Sequence, residues 1–363
     1  GTINIYANAP GCDSPPEIAD ECGFTLPCLP FGNYYLESQA DVDDFFNDYP
    51  DCFDLHGSLK ISGENITDLS GLDGLNSIEN DLRIYRNNSL INFIGLNSLT
   101  SIGGRFKVGY YEGNGNTMLQ NFVGLDGLTT IGGSFEVMYN DSLSNFYGLN
   151  SLQSIGEYFA ILSNYNLSSL SGLDNLDSIN GGLSISGTNF LTDITQLSNL
   201  TFVDGSISII NNNILNSLLG LDNIEPGSID FLNIYNNSEL STCAVASICE
   251  YLADSNTYIN INNNAPGCNN QEEVEFACTL NVPENNIQKD VKFYPNPATK
   301  EIFISTKIAN TITELSIYNC LGQRVLYKKG ETDKLNISMF NHGIYIIELV
   351  TNESKYRQKL IIK

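Results

Sequence analysis

The sequence predicts an all-β protein, in which a parallel β-solenoid with short helical caps is followed by a small antiparallel β-sandwich. Three observations lead to this prediction: a motif that recurs every 24 residues, a short strand pattern in each repeat, and a change in the sign of the charge near residue 289. Residues 1–288 hold five basic and 35 acidic residues, whereas residues 289–363 hold 12 basic and seven acidic ones. A chain that changes sign at one point is typical of two domains.

The chain divides by pattern into a leading segment over 1–22, the solenoid over 23–280, a linker over 281–289 and a C-terminal domain over 290–363. The leading segment copies the end of the solenoid. "INIYANAPGC" begins at residue 3 and "ININNNAPGC" begins at residue 259. We therefore expect residues 1–22 to be the tail of a preceding repeat module.

Seven related motifs of the type L-x-x-L-x-x-I define the repeat. They begin at residues 71, 95, 124, 148, 172, 196 and 220, so every step is 24 residues except one of 29. The long step contains "YYEGNGN", which we expect to be a loop inserted at one corner. Alternating triplets such as "LRI" and "FKV" follow the motifs and indicate half-buried strands. A single repeat cannot bury its apolar edge, but stacked repeats can, which predicts seven or eight coils with parallel strands in register.

A column of asparagines, interrupted once by threonine, accompanies the strands. Its members are Asn87, Asn116, Asn140, Asn164, Thr188, Asn212 and Asn237. A side-chain amide at this place can satisfy backbone groups that the turns leave unpaired. The alternative is the general preference of asparagine for turns.

Caps are predicted at both ends of the solenoid, because open ends of stacked repeats need covering. "SQADVDDFFNDYPDC" at residue 38 and "CAVASICEYLADS" at residue 243 have the pattern of short amphipathic helices. Cysteines cluster around both, which favours disulfides and an oxidising, extracytoplasmic location. Zinc is the alternative, although zinc fingers favour shorter gaps and added histidines. We expect Cys28 to pair with Cys52 and the last four to pair among themselves; the disulfide candidates are Cys28, Cys52, Cys243, Cys249, Cys268 and Cys278.

The repeat motif, the cysteine-clipped helical cap and the terminal cysteine cluster resemble the receptor L-domain group of leucine-rich-type β-solenoids. The resemblance covers about residues 24–280 and implies the solenoid fold. Receptor L domains of eukaryotes bind hormones, and their bacterial relatives are surface proteins, so the resemblance implies a surface-exposed protein without naming a ligand.

The C-terminal domain carries short alternating strands separated by Gly, Asn and Pro, which predict the β-sandwich. Its motifs resemble the type A C-terminal sorting domain of the type IX secretion system. The residues that carry the resemblance are Pro295, Asn296, Pro297, Gly322 and Gly343, with a basic terminal strand. The resemblance implies export by the type IX machinery to the outer-membrane surface or medium of a Gram-negative bacterium. It also implies removal of the domain and attachment of the body to surface lipopolysaccharide.

Composition excludes several function classes. The acidic body argues against binding nucleic acid or an anionic membrane, and the sequence has no stretch of 18 apolar residues to span a membrane. The chain has two histidines, no tryptophan, and no G-x-S-x-G, Walker or H-E-x-x-H motif. "DVDD" at residue 41 lacks a calcium-loop pattern and is predicted to start a helix. We therefore expect no enzyme activity, no cofactor and no metal.

One set of residues suggests a ligand site. The five basic residues of the body lie in three consecutive repeats, and three of them, Lys60, Arg83 and Lys107, occupy one outward column. Cations beside aromatic rings can hold sugars or acidic ligands. The alternative is charge for solubility, neutralised by Glu79, Asp81 and Glu136. The candidate ligand-binding residues are Lys60, Arg83, Tyr85, Arg86, Lys107, Tyr110 and Met138.

These observations favour a non-enzymatic, secreted or cell-surface protein for binding or adhesion, with a glycan as a possible ligand class. Two alternatives stay open: a structural surface array without a discrete ligand, and a polysaccharide lyase on a β-solenoid. Such lyases use Arg or Lys as the base, together with carboxylates that hold calcium, and the cationic column keeps this alternative in place.

Overall fold

The computed structural model describes residues 32–111, 114–254, 258–280, 291–295, 298–306, 312–319, 323–330, 334–351 and 355–362, together with Ile18, Cys22 and Cys28. The chain divides into two compact units, Gly1–Gln271 and Glu272–Lys363. The described part is mostly β, with two long parallel sheets and few helices in the first unit and small antiparallel sheets in the second.

A large parallel sheet of ten strands runs through the first unit. Its strands are, in spatial order, β1 (Tyr34–Leu36), β3 (Leu59–Ile61), β5 (Leu82–Ile84), β7 (Phe106–Val108), β9 (Phe135–Met138), β11 (Phe159–Leu162), β13 (Leu183–Ser186), β15 (Gly205–Ile210), β16 (Ile229–Tyr235) and β17 (Tyr258–Asn262). Neighbours come from successive repeats, as when Ile161 in β11 pairs with Ile185 in β13. The 24-residue period therefore becomes a stack of parallel strands in register.

A second parallel sheet of seven two-residue strands is built from the same repeats. It contains β2 (Asp54–Leu55), β4 (Ser77–Ile78), β6 (Ser101–Ile102), β8 (Thr130–Ile131), β10 (Ser154–Ile155), β12 (Ser178–Ile179) and β14 (Phe202–Val203). In each strand the aliphatic residue is buried. Each of these repeats thus contributes one strand to each sheet.

The core of the first unit is made of inward residues stacked one repeat above the next. Phe106, Phe135 and Phe159 share one inward position on neighbouring strands, and their ring centroids lie 5.1 and 5.0 Å apart. All three are fully buried. Burying such a side chain contributes about 1.5–3 kcal/mol, so the repeat is stabilised mainly by this shared column of apolar residues.

The glycine that opens a repeat motif is required by its backbone. Gly124 has a φ of +106°, and a Cβ there would overlap the carbonyl oxygen of Phe93 in the preceding repeat. Gly148 has a φ of +110° and stands in the same relation to Phe122. A residue with a side chain would be strained at both places, which explains why the motif begins with Gly-Leu.

The asparagine column forms a buried ladder of hydrogen bonds. Asn140 shows the pattern: its Oδ1 accepts from the N–H of Asn116 at 3.0 Å, and its Nδ2 donates to the carbonyl oxygens of Val108 and Met138 at 3.1 and 3.0 Å. The link from a backbone N–H to the next side-chain oxygen recurs at Asn87–Asn116, Asn140–Asn164, Asn212–Asn237 and Asn237–Asn264. The amides satisfy the turn groups, as expected from the spacing.

The helices of the first unit are short. They are α1 (Gln39–Asp43), α2 (Phe45–Asp48) and α3 (Ala246–Leu252), and three 3-10 turns lie at Ser70–Leu72, Thr195–Leu197 and Pro226–Ser228. A further helix, α4 (Gln271–Leu280), begins at the last residue of the first unit and continues in the second. The stretch expected to form one helix before the first repeat forms α1 and α2, which meet at Asp44. Ser38 caps α1: its Oγ accepts from the N–H of Asp41, whose Oδ2 accepts from the N–H of Ser38. Asp41 in "DVDD" is therefore a capping residue.

Disulfides hold the ends of the first unit, as predicted. Cys28 is bonded to Cys52, and Cys243 is bonded to Cys268. These partners lie 24 and 25 residues apart, so each bond joins neighbouring repeats. Cys249 and Cys278 are disulfide-bonded as well. Cys22 is a free, exposed thiol, and the rest of the leading segment, including Cys12, lies outside the described residues except for Ile18.

The second unit contains two antiparallel sheets. One is formed by β18 (Val291–Tyr294), β19 (Glu301–Thr306) and β22 (Lys334–Asn336), and the other by β21 (Arg324–Lys329), β20 (Ile312–Asn319), β23 (Gly343–Thr351) and β24 (Lys355–Ile362). Both sheets contribute to one buried cluster, Ile302 and Leu335 from the first and Ile317, Ile347 and Leu360 from the second. Of the predicted motif residues, Pro295 follows β18 and Gly343 is the first residue of β23. Asn296, Pro297 and Gly322 lie outside the described residues.

Candidate functional site on the large parallel sheet

The outward face of the large sheet changes in chemistry along its length. The parallel registers align one central column: Tyr35, Lys60, Arg83, Lys107, Glu136, Ala160, Ser184, Ser208, Asn233 and Asn260. The column is charged on β3, β5, β7 and β9 and neutral from β11 onward. Lys60, Arg83 and Lys107 are thus neighbours in register, as the sequence predicted.

We call the charged end of this face the cationic patch. It consists of Lys60, Arg83, Arg105 and Lys107, the carboxylates Glu37, Asp81 and Glu136, and the tyrosines Tyr35, Tyr85, Tyr110, Tyr111 and Tyr158. Only one other basic residue, Arg86, occurs in residues 1–288. The positive charge of an acidic body is therefore gathered at one place on the sheet.

Every cation of the patch has a carboxylate beside it. Lys60 Nζ lies 2.9 Å from Glu37 Oε1, and Arg83 Nη2 lies 2.6 Å from Asp81 Oδ2. Glu136 is shared between Lys107 Nζ at 3.0 Å and Arg105 Nε at 3.1 Å. Neutralisation by Asp81 and Glu136 was expected, whereas Glu79 pairs with His56 at 3.1 Å, so it does not contribute to the patch.

The Lys107–Glu136 pair is buried although both residues point outward. The two side chains are only 6% and 2% exposed. The rings of Tyr110 and Tyr111, which follow β7, lie with their centroids 4.8 and 4.6 Å from Lys107 Nζ. Lys107, predicted as a ligand-binding residue in the outward column, is therefore buried against Glu136 beside two tyrosine rings.

Tyr158 completes the partners of Glu136. Its hydroxyl donates to Glu136 Oε1 at 2.7 Å. Burial, the hydrogen bond to Glu136 and the negative charge of that carboxylate raise the pKa of Tyr158 to about 12. The hydroxyl therefore stays protonated and keeps donating at neutral pH.

The part of the patch that faces solvent lies around Lys60 and Arg83. Lys60 Nζ lies 5.6 and 5.7 Å from the ring centroids of Tyr35 and Tyr85, and the rings of Tyr85 and Tyr110 lie 5.4 Å apart. Burial alone would lower the pKa of Lys60, but Glu37 and the hydrogen-bonded Tyr85 hydroxyl raise it overall. Lys60 is therefore an ammonium group among aromatic rings.

Asp81 connects the two arginines of the patch. Its Oδ2 accepts from Arg83, and its Oδ1 accepts from the backbone N–H of Arg105 at 2.8 Å. Burial alone would raise the pKa of Asp81, but these hydrogen bonds and the two guanidinium charges lower it overall. Asp81 is therefore a carboxylate at neutral pH that fixes both strands.

The remaining predicted residues lie at the margin. Arg86 follows β5 with a φ of +59°, and its Nε donates to Asn114 at 3.1 Å. Met138 is the last residue of β9 and is buried. Sequence reasoning missed Tyr35 and Tyr158 as members of the site. Tyr35 could have been found by extending the strand triplet one repeat upstream to "YYL".

Within the described ranges, no group of three or more His, Cys, Asp and Glu side chains is arranged to hold a metal ion. The same residues contain no helix with the length and apolar character needed to cross a membrane.

Comparison with known families identifies the C-terminal part. Residues 292–363 match the family described as secretion system C-terminal sorting domain. This match confirms the predicted sorting domain, and it indicates secretion or export to the cell surface, with the secretion machinery as a partner.

A comparison with curated proteins bears on activity. A stretch of 90 residues is 38% identical to a protein named endo-acting ulvan lyase from Formosa agariphila. The match covers 23% of this chain and 17% of the lyase, so the chain spans less than a fifth of that relative.

This similarity contradicts the prediction of a non-enzymatic binding or adhesion protein and favours the lyase alternative. The prediction rested on missing hydrolase and nucleotide-binding motifs. A lyase needs none of these motifs, because elimination requires only a proton acceptor and positive charge beside a carboxylate.

Proposed function

We propose that the chain is an exported polysaccharide lyase for an anionic polysaccharide, and that its substrate binds at the cationic patch. The observation that carries the proposal is the concentration of positive charge: four of the five cations in a body with a net charge of −30 lie together on one sheet face, beside exposed tyrosines. The sorting domain and the similarity to an ulvan lyase support it.

Elimination on a uronate unit has clear chemical requirements. A base removes the proton from the carbon next to the carboxylate, a carbon–carbon double bond forms, and the neighbouring glycosidic C–O bond breaks. The leaving oxygen keeps the bonding electrons and takes up a proton. Negative charge develops on the carboxylate as the first proton leaves, so nearby cations stabilise the transition state.

The patch offers groups for each requirement. The Tyr85 ring centroid lies 5.7 Å from Lys60 Nζ, so Tyr85, as a phenolate stabilised by the Lys60 ammonium, can remove the proton, and Lys60 can donate a proton to the leaving oxygen. Arg83 lies next to Lys60 on the following strand and places positive charge where the carboxylate would lie. Exposed rings of Tyr35 and Tyr110 provide flat apolar surfaces for sugar rings.

The finer architecture belongs to the same proposal. The stacked repeats support a β-solenoid that resembles the receptor L domains over 23–280, joined by a linker at 281–289 to a β-sandwich sorting domain at 290–363. Attachment of the exported body to surface lipopolysaccharide would hold the enzyme close to polymer outside the cell.

The test is to incubate the full chain with ulvan, polygalacturonate and alginate and to follow unsaturated uronate products by ultraviolet absorbance. We expect product from at least one polymer. Lys60→Met and Tyr85→Phe should each lower kcat by about 100-fold or more, which is the usual contribution of a proton-transfer group. Lys329→Met, at an exposed lysine of β21 in the second unit, removes the same charge as Lys60→Met, is the matched control and should keep wild-type activity. Absence of unsaturated product from all three polymers at high protein concentration would refute the proposal.

A further inference from the structure

The two arginines of the cationic patch differ from its lysines in their unused hydrogen-bond donors. A guanidinium group has five N–H donors. Arg83 uses one, from Nη2 to Asp81, and its side chain is 48% exposed. Within the described part of the chain, its other N–H groups meet no protein acceptor.

Arg105 is even less satisfied. Its Nε lies 3.1 Å from Glu136 Oε1, but the N–H is not directed at that oxygen, and Nε has no hydrogen-bond partner among the described residues. Glu136 is occupied by Lys107 and by the Tyr158 hydroxyl. Nε itself is buried, but the Arg105 side chain is 41% exposed, so the outer N–H groups of its guanidinium are available to a ligand.

The charges of the patch do not cancel. The patch holds four cations, Lys60, Arg83, Arg105 and Lys107, and three carboxylates, Glu37, Asp81 and Glu136, which leaves one positive charge. One bound anion would neutralise it. The surplus lies with Arg105, because Lys60, Arg83 and Lys107 each have a carboxylate oxygen within 3.0 Å.

Asp81 fixes the relative position of the two arginines. One oxygen holds the Arg83 guanidinium and the other holds the backbone of Arg105. Arg83 lies on β5, and Arg105 directly precedes the adjacent strand β7. Two arginines held by one carboxylate can bind the oxygens of one anion, since arginine binds carboxylate and sulfate-like oxyanions through paired N–H groups.

We propose that Arg83 and Arg105, positioned by Asp81, form an oxyanion fork that binds one carboxylate or sulfate group of the anionic polysaccharide. This inference rests on the proposed function and deepens it, because it names the substrate group and the residues that hold it. Asp81 acts through the arginines and is a positioning residue.

The experiment measures binding and product formation separately on the full chain. Ulvan oligosaccharides are titrated calorimetrically into the wild type, Arg83→Gln, Arg105→Gln and the double variant. We expect each single substitution to raise Kd by about tenfold or more, the effect of losing a charge-assisted hydrogen bond. The Kd of the double variant should rise by less than the product of the two single-variant factors, because both arginines hold the same anion. Arg324→Gln, an exposed arginine in the second unit, removes the same charge and should leave Kd unchanged.

The outcomes separate the two proposals. The fork would be overturned if both single variants kept the wild-type Kd, or if the rise in Kd of the double variant equalled the product of the two single rises. Unsaturated product from the wild type would still support the lyase in that case. Binding that depends on both arginines without any product from the three polymers would keep the fork and refute the lyase. No binding of ulvan oligosaccharides by the wild type would overturn the fork. Desulfated ulvan and carboxyl-reduced ulvan show whether the fork binds a sulfate or a carboxylate. The modified polymer that no longer shows arginine-dependent affinity is the one that lacks the bound group.

Discussion

Removing one amide of the asparagine ladder should destabilise the first unit far more than removing an asparagine from a surface turn. The substitution is Asn140→Ala. Asn140 is fully buried, and its loss leaves the N–H of Asn116 and the carbonyl oxygens of Val108 and Met138 without this partner. Each unpaired buried group costs about 1–3 kcal/mol. The lower end of that range for three groups predicts a loss of about 3 kcal/mol in the free energy of unfolding.

Two further variants bracket this prediction. Asn145→Ala removes an acceptor for the N–H of Tyr147 at 3.0 Å, but Tyr147 is exposed, so water can replace the bond and the cost should be about 1 kcal/mol or less. Thr188→Asn restores an amide where the ladder is interrupted. Thr188 donates to Asn212 but offers no amide N–H to a strand carbonyl, so the substitution should stabilise the unit by about 1 kcal/mol.

The assay is urea unfolding followed by far-ultraviolet circular dichroism, combined with native-state hydrogen exchange. Exchange is needed because two units can unfold in separate steps and distort a single fitted free energy. The Asn140→Ala variant should lose protection at the Asn116 amide while the repeats around Asn237 keep theirs. Equal free energies of unfolding for Asn140→Ala and Asn145→Ala, with unchanged protection at Asn116, would refute the idea that the ladder stabilises the stack.

Two other predictions concern the charged end of the sheet. Glu136→Gln should lower the free energy of unfolding by about 3 kcal/mol because it leaves the buried Lys107 without its compensating charge. Glu37→Gln, beside half-buried Lys60, should lower it by less than about 1 kcal/mol. Equal losses of the two variants in urea unfolding would contradict the burial argument. The lowered pKa of Asp81 gives stability that is fully present above the ordinary value of 3.8 and is lost as pH falls through the folded value. The free energy of unfolding, measured between about pH 6 and pH 3, should therefore decline less in Asp81→Asn than in the wild type, and parallel curves would disprove the assignment.

The regular parts of the fold could be predicted because each repeat states the same pattern again. A single asparagine such as Asn140 would say little about structure. Because asparagine recurs at a fixed interval, it must occupy the same place in every repeat, and this predicts the ladder. The triplets that contain Lys60 and Arg83 predicted the central column for the same reason, since parallel strands in register place equivalent residues side by side.

The irregular parts could not be predicted in this way. The inserted loop after β7 breaks the period once, and sequence spacing gives no information on where the loop folds. The rings of Tyr110 and Tyr111, at the start of this loop, pack against Lys107, and Lys107 forms a buried pair with Glu136 instead of part of an exposed stripe. The pairing of Glu79 with His56 is missed for a related reason: it depends on which side of a short strand each side chain takes, and Ser77 and Ile78 are too few residues to show an alternation.

The placement of charge on the large sheet also constrains how a polymer would lie there. Ten strands about 4.8 Å apart form a face roughly 43 Å long, and its cations occupy only β3, β5 and β7. The far end carries Ser184, Ser208 and Asn233, which can donate and accept hydrogen bonds without attracting charge. A uniformly charged polymer would gain little binding affinity from that end. A polymer with anionic units at intervals could bind one unit at the arginines, while its neutral, hydroxyl-rich units contact the rest of the face. On the proposed function, we therefore expect a polysaccharide of mixed anionic and neutral sugars to be a better substrate than a continuous polyuronate.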